Sequence, residues 1–146
     1  MTKATELKNK IADILESLQR QEVLGTVLVR EVNESLFDLD IPKYPAAVLP
    51  PPYITGEIIT NSENLRSYNF ELLIIVKQEN ITSDNPIEDL METIMDTFDN
   101  YPSLDGTAEG GLEPATSPTE TFTTRGKTFT LFRVILKAKA SKAITL

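Results

Sequence analysis

Apolar positions recur at helical spacing in residues 4–20, "ATELKNKIADILESLQR", where Leu7, Ile11, Ile14, Leu15 and Leu18 fall on one face. This predicts an amphipathic helix, with Gly25 as its C-terminal stop. The pattern then changes period. "TVLVREV" is short, β-branched and alternating, which predicts a strand. "NESLFDLDIPKYP" reads as an irregular linker, and "AAVLPPPYI" as an apolar piece ending in prolines. Pro50, Pro51 and Pro52 have no backbone donor and a fixed φ, so the chain there is expected to be extended and at an edge or rim.

Residues 56–78, "GEIITNSENLRSYNFELLIIVKQ", give the clearest β signal: two apolar arms around the turn-rich "TNSEN". In the second arm Tyr68, Phe70, Leu72, Ile74 and Val76 share a face, with Asn69, Glu71 and Lys77 on the other. Leu73 and Ile75 interrupt the alternation, so the far end of this strand is expected to be covered on both sides. A second helix follows in "NPIEDLMETIMDTFD", 85–99. Asn85 is its expected N-cap, Pro86 its first residue, Glu88 its capping-box acid, and Asn100 with Pro102 mark its end. Its apolar arc is Ile87, Leu90, Met91, Ile94, Met95 and Phe98, and its five acids take the opposite arc. Residues 101–120 are rich in Gly, Pro, Ser and Thr and predict a long, mobile loop. Two strands around Arg125-Gly126-Lys127 close the chain, the last with Phe132, Val134 and Leu136 on one face and Arg133, Lys137 and Lys139 on the other. "SKAITL" is expected to be a short flexible tail. Segregated helices and hairpin-linked strands predict one α+β domain over 1–146, an antiparallel sheet with two α-helices packed on one face.

Composition narrows the chemistry more than it alters this outline. The 146 residues contain no cysteine and no histidine. Disulfides, thiolate nucleophiles, Cys/His zinc sites and histidine proton relays are therefore excluded. No apolar run approaches the roughly 20 residues that a membrane-spanning helix requires. The net charge is −8 and it is unevenly distributed. From Gln78 to Thr124 there are eleven acids and no base, whereas from Arg125 onward there are six bases and no acidic side chain. Such separation favours electrostatic docking, within the fold or between copies of it.

Enzymatic chemistry finds little footing. The helical acids lie on a solvated arc, where nothing raises a carboxyl pKa. Asp38, Asp40 and the acids of 84–89 lack the spacing of a calcium loop, and "EGGLE" lacks the Lys-Ser/Thr of a phosphate loop. No catalytic residue, cofactor or metal is expected. Nucleic-acid readout is also disfavoured, because basic and aromatic residues interleave only in the final strand. What remains is an interaction protein, and Pro50–Pro52, residues 101–120 and the charge split are its candidate surfaces. Within α-helical 85–99, Asp96 and Asp99 oppose the helix dipole, and the Glu88/Glu92 and Glu92/Asp96 pairs repel. Glu92, Asp96 and Asp99 therefore suggest a face turned toward the basic strand of a neighbour, carrying Arg133, Lys137 and Lys139, or toward passing DNA.

The order of an N-terminal amphipathic helix, "YPAAVLP", "YNFELLIIVKQEN", "NPIEDLMETIMDTF" and "FTLFRVILKAKA" resembles the tail terminator (tail completion) proteins of long-tailed bacteriophages and related neck proteins. The resemblance covers most of the chain in order and type of element. It implies a virion subunit, assembled in the host cytoplasm, that forms a hexameric ring on the last ring of tail tube protein. Such a ring stops tube elongation and meets the connector protein of the head neck. DNA passes through it without specific binding, and no membrane, catalysis or cofactor is involved. Two other readings are open at this point: a small α+β adaptor that captures one heterologous protein through residues 101–120 and, third in order, an enzyme using a carboxylate-bound metal.

Overall fold

The computed structural model describes residues 2–31, 41–58 and 63–143. Helix α1 spans Lys3–Arg20 and is opened by Thr2, whose Oγ1 accepts from the Thr5 N–H at 3.2 Å. Its end differs from expectation. Glu22, not Gly25, takes the left-handed conformation, with φ 63°. The Val23 N–H then reaches back to the Leu18 carbonyl at 3.0 Å and the Glu22 N–H to that of Gln19 at 3.1 Å, which is a Schellman closure. Gly25 serves another purpose: a Cβ there would lie 2.7 Å from Lys43 Cγ and 2.9 Å from its carbonyl carbon. That close approach lets the Gly25 N–H bond to the Pro45 carbonyl at 2.8 Å.

The strands are β1 (Thr26–Val29), β2 (Ala46–Leu49), β3 (Tyr53–Ile58), β4 (Glu63–Lys77), β5 (Gly111–Thr116), β6 (Glu120–Thr124) and β7 (Lys127–Ala143), with α2 at Ile87–Asp99 between β4 and β5. All seven join one sheet built on the long antiparallel pair β4–β7, in register from Glu63↔Ala143 to Lys77↔Phe129. One edge of that pair carries β2 and then β3; the other carries β6 and then β5. The α+β class holds, and every pairing is antiparallel except β1 with β2, which run parallel. A parallel neighbour needs a long crossover, and the connection from Val29 to Ala46 has the length for one.

Both helices cover one face of the sheet. Leu7, Ile11, Leu15 and Leu18 of α1 and Ile94 and Phe98 of α2 pack with Phe70, Leu72, Ile74, Phe132, Val134 and Leu136. These are the alternate residues of β4 and β7 that sequence periodicity assigned to one side. The opposite face is apolar only near the β1–β2 end, where Ala46, Val48, Leu73, Ile75, Phe129 and Leu131 form a second cluster. Leu73 and Ile75 are 1% and 2% exposed, so this end of β4 is covered on both faces as expected.

Three local expectations need correction. The N-cap of α2 is Pro86, with no side-chain cap. Asn85 instead closes a turn, its N–H donating to the Thr82 carbonyl at 3.1 Å. Residues 101–120 are not a long loop, because Gly111–Thr116 pair with β7 as β5. The turns before β5 are pinned by Leu104 and Ala108, both fully buried in the main core, and by Leu112. A Gly/Pro/Ser-rich composition concealed these three anchors. Finally, β7 continues to Ala143, so half of "SKAITL" is strand. The β3–β4 hairpin forms as expected, although most of "TNSEN", like Asp38 and Asp40, lies outside the described residues.

Candidate functional site

The proline triplet marks a defect in the edge of the sheet. Val48 pairs with Leu73 and Tyr53 with Asn69, so five steps along one strand match four along the other. Strands β2 and β3 thus pair with β4 as one strand interrupted by a single-residue bulge, with β1 outside β2 and β3 at the edge, and Pro50–Pro52 occupy the bulge. Prolines fit there because a bulge interrupts the ladder, so their missing N–H groups forfeit no hydrogen bond. Beyond the bulge, Asn69, 7% exposed, donates from Nδ2 to the Tyr53 and Ser67 carbonyls, both at 3.3 Å. The edge and rim placement expected for the triplet is what is found.

Arg133, Lys137 and Lys139 are alternate residues of β7 and point away from the helices, since Phe132, Val134, Leu136 and Ala138 fill the helix-side core. A cleft of about 450 Å³ brings Arg133 together with Pro50, Pro51 and Pro52, and with Tyr53 and Glu71. Lys137 and Lys139 lie further along the same strand, outside it. Glu92, Asp96 and Asp99 are exposed on the outer side of α2, whose inner side is Ile94 and Phe98. The two halves of the predicted site therefore sit on opposite sides of the sheet, and no single copy brings them together.

The charge split resolves into two behaviours. The later acids dock within the chain. Glu113 meets Lys139 at 2.8 Å, Glu120 meets Arg133 at 3.8 Å, Glu109 meets Lys3 at 3.7 Å and Asp105 meets Lys10 at 3.9 Å. A hydrogen bond from Lys139 Nζ, with its positive charge close by, holds the Glu113 carboxyl below the usual carboxylate range. A lowered native pKa means that this contact supports the fold at and above the ordinary carboxylate range, and the support is lost as pH falls below that range through the lowered native pKa. The earlier acids behave otherwise. Among the described residues, Glu79, Asp84, Glu88, Asp89, Glu92, Asp96 and Asp99 are exposed and form no ion pair. Glu79 also borders a cleft with Lys77 and Lys127, and the five acids of α2 make a band along the outer side of that helix. A cleft of about 650 Å³ at the start of α2 continues it, with Glu22, Glu79 and Asp89 around Val23, Ile81, Ile87 and Leu90.

Sequence reasoning passed over two further features. Tyr53 and Ile54 of β3 are 55% and 50% exposed, which together with Val29 makes them the exposed large apolar side chains among the described residues. Their neighbour Pro52 drew attention, but an apolar run does not reveal which of its residues remain uncovered. Among the described residues no group of three or more acids is placed to hold a metal ion. None of the described helices is long and apolar enough to cross a membrane. No protein-family model matches the chain, and no curated protein matches it.

Proposed function

We propose that this chain is the subunit of a structural ring, of the tail terminator or neck type, that ends a phage tail tube, joins it to the head and lets DNA pass. The observation that carries this reading is the band of five exposed acids along α2, which form no ion pair among the described residues, opposite a sheet face whose Arg133 and Lys139 are tied to Glu120 and Glu113. A subunit of a polar ring needs two unlike surfaces, and head-to-tail contacts between unlike patches are what close a ring. Because Arg133 and Lys139 already have partners within the chain, the α2 acids are better suited to facing the DNA path than to docking on a neighbour's β7. An acidic wall holds no phosphates and releases no counterions, so a duplex slides along it.

Capture of a heterologous protein by residues 101–120 has weaker support, because this segment is built into the sheet and core rather than free to wrap a partner. The ring reading is tested on the purified protein by light scattering and negative-stain electron microscopy. Annular particles, with a mass several times the 16.3 kDa of one chain, are expected. A protein that stays at 16.3 kDa at high concentration overturns the reading.

A further inference from the structure

Outer strands of a sheet present a row of unpaired N–H and C=O groups, and proteins guard them with short length, proline or charge. Four strands of this sheet are outer strands: β1 and β3 on one side, β5 and β6 on the other. Two of them are guarded. β1 has only four residues, and β5 carries Pro114. The other two carry only one glutamate each, Glu57 in β3 and Glu120 in β6. β3, "YITGEI", has no proline or lysine and displays Tyr53 and Ile54. β6, "ETFTT", has no proline, glycine or lysine and is rich in β-branched residues. Among the described residues, no strand pairs with the outer edge of either one.

We infer that β3 of one copy adds to β6 of the next, joining neighbouring sheets edge to edge. This rests on the ring reading and names the contact that closes the ring. Direction supports it. β3 is antiparallel to β4, β4 to β7, and β6 to β7. Strands β3 and β6 therefore run in opposite senses, and when β6 of one copy is laid beside β3 of the next they form an antiparallel ladder. The edges are on opposite sides of the molecule, so the contact is head-to-tail and repeats from copy to copy. All the helices then remain on one side of the continuous sheet, which keeps the acidic α2 faces together on one wall.

Residue chemistry selects the register. Residues opposite each other in a ladder share a face. Centring the two strands would set Thr55 against Phe122 and Tyr53 against Thr124, leaving the aromatic rings apart. A shift of two residues sets Tyr53 opposite Phe122 and Ile54 opposite Thr121. Tyr53 then extends an aromatic row in which Phe122 already stacks on Phe129, with ring centroids 5.3 Å apart. An added strand also covers the two exposed apolar side chains of β3, each of which reaches one face of the sheet.

The absence of native cysteine gives a clean experiment. The double variant Ile54→Cys/Thr121→Cys, treated with a short bismaleimide, is expected to give a ladder of covalent multimers on a denaturing gel. Each single variant is expected to stay at one chain. A dimer from Ile54→Cys alone means β3 pairing with β3 and overturns the proposal. Wild-type multimers together with an unreactive double variant also overturn it, while leaving the ring reading intact. A monomeric wild type overturns both. A second variant, Ile54→Lys/Thr55→Lys, places charge on exposed positions of the open edge. It is expected to lower the mass in light scattering to that of one chain while circular dichroism stays unchanged. A retained multimer at the wild-type mass counts against the β3 edge.

Discussion

At the scale of single residues, backbone conformation and side-chain chemistry disagree at Glu22. This residue ends α1 in the left-handed region, with φ 63°, where a side chain bearing Cβ is strained by about 1–2 kcal/mol and glycine is not. Its side chain is exposed at the rim of the acidic cleft and makes no ion pair among the described residues. Glu22→Gly removes the strain at some cost in unfolded-chain entropy, so a net gain of roughly 0.5 kcal/mol is expected. A urea melt at constant m-value measures it; a loss of stability would show that the Glu22 side chain contributes more than the strain it imposes. The sequence had placed this stop at Gly25, three residues late, because glycine is the usual residue at such a position. Only the fold shows why Gly25 is glycine: Lys43, 18 positions away, passes where a Cβ would be. A contact of that separation leaves no periodic trace. Tyr53 and Ile54 illustrate the same limit, since identity gives hydrophobicity whereas exposure depends on which strands are neighbours.

At the scale of elements, α2 was largely legible because its pattern is local. The acid arc and apolar arc lie where 100° per residue puts them, and Ile94 and Phe98 are buried. Residues 101–120 were not legible, because β5 is held by pairing with β7 and by three widely spaced anchors rather than by its own propensity. α2 also carries a conflict between stability and use. It has no basic residue in its last turn, and its acids repel at i, i+4 spacing by some 0.2–0.5 kcal/mol per pair. Glu92→Lys turns the repulsion with Glu88 into a Glu-to-Lys attraction and also relieves that with Asp96. The fold is expected to gain about 0.5–1 kcal/mol. On the ring reading, Glu92→Lys with Asp96→Lys leaves assembly intact but gives the wall a hold on DNA. Fluorescence anisotropy of a labelled duplex at low salt is expected to rise with the double variant and not with the wild type. An unchanged signal from an assembled double variant would remove the α2 face from the DNA path.

At the scale of the whole molecule, assembly has to contend with a net charge of −8 per chain, largely concentrated in one band. Two kinds of contact between copies respond to salt in opposite ways. Docking of the α2 acids on a neighbour's β7 is an attraction between exposed charges, and raising ionic strength weakens it. Edge-to-edge pairing of β3 with β6 rests on main-chain hydrogen bonds and apolar side chains, which salt hardly screens. The same arrangement lines up the acidic helices of successive copies, however, and that repulsion is screened as the Debye length falls from about 10 Å at 0.1 M salt to about 3 Å at 1 M. Arg133 and Lys139 of β7 are already engaged by Glu120 and Glu113, which reduces the attraction that salt could weaken. Sedimentation velocity at 50 mM and 500 mM sodium chloride is therefore expected to show an assembly that persists or strengthens at the higher concentration. Dissociation at high salt would mean that acid-to-base docking joins the copies, and that the open edges of β3 and β6 serve something else.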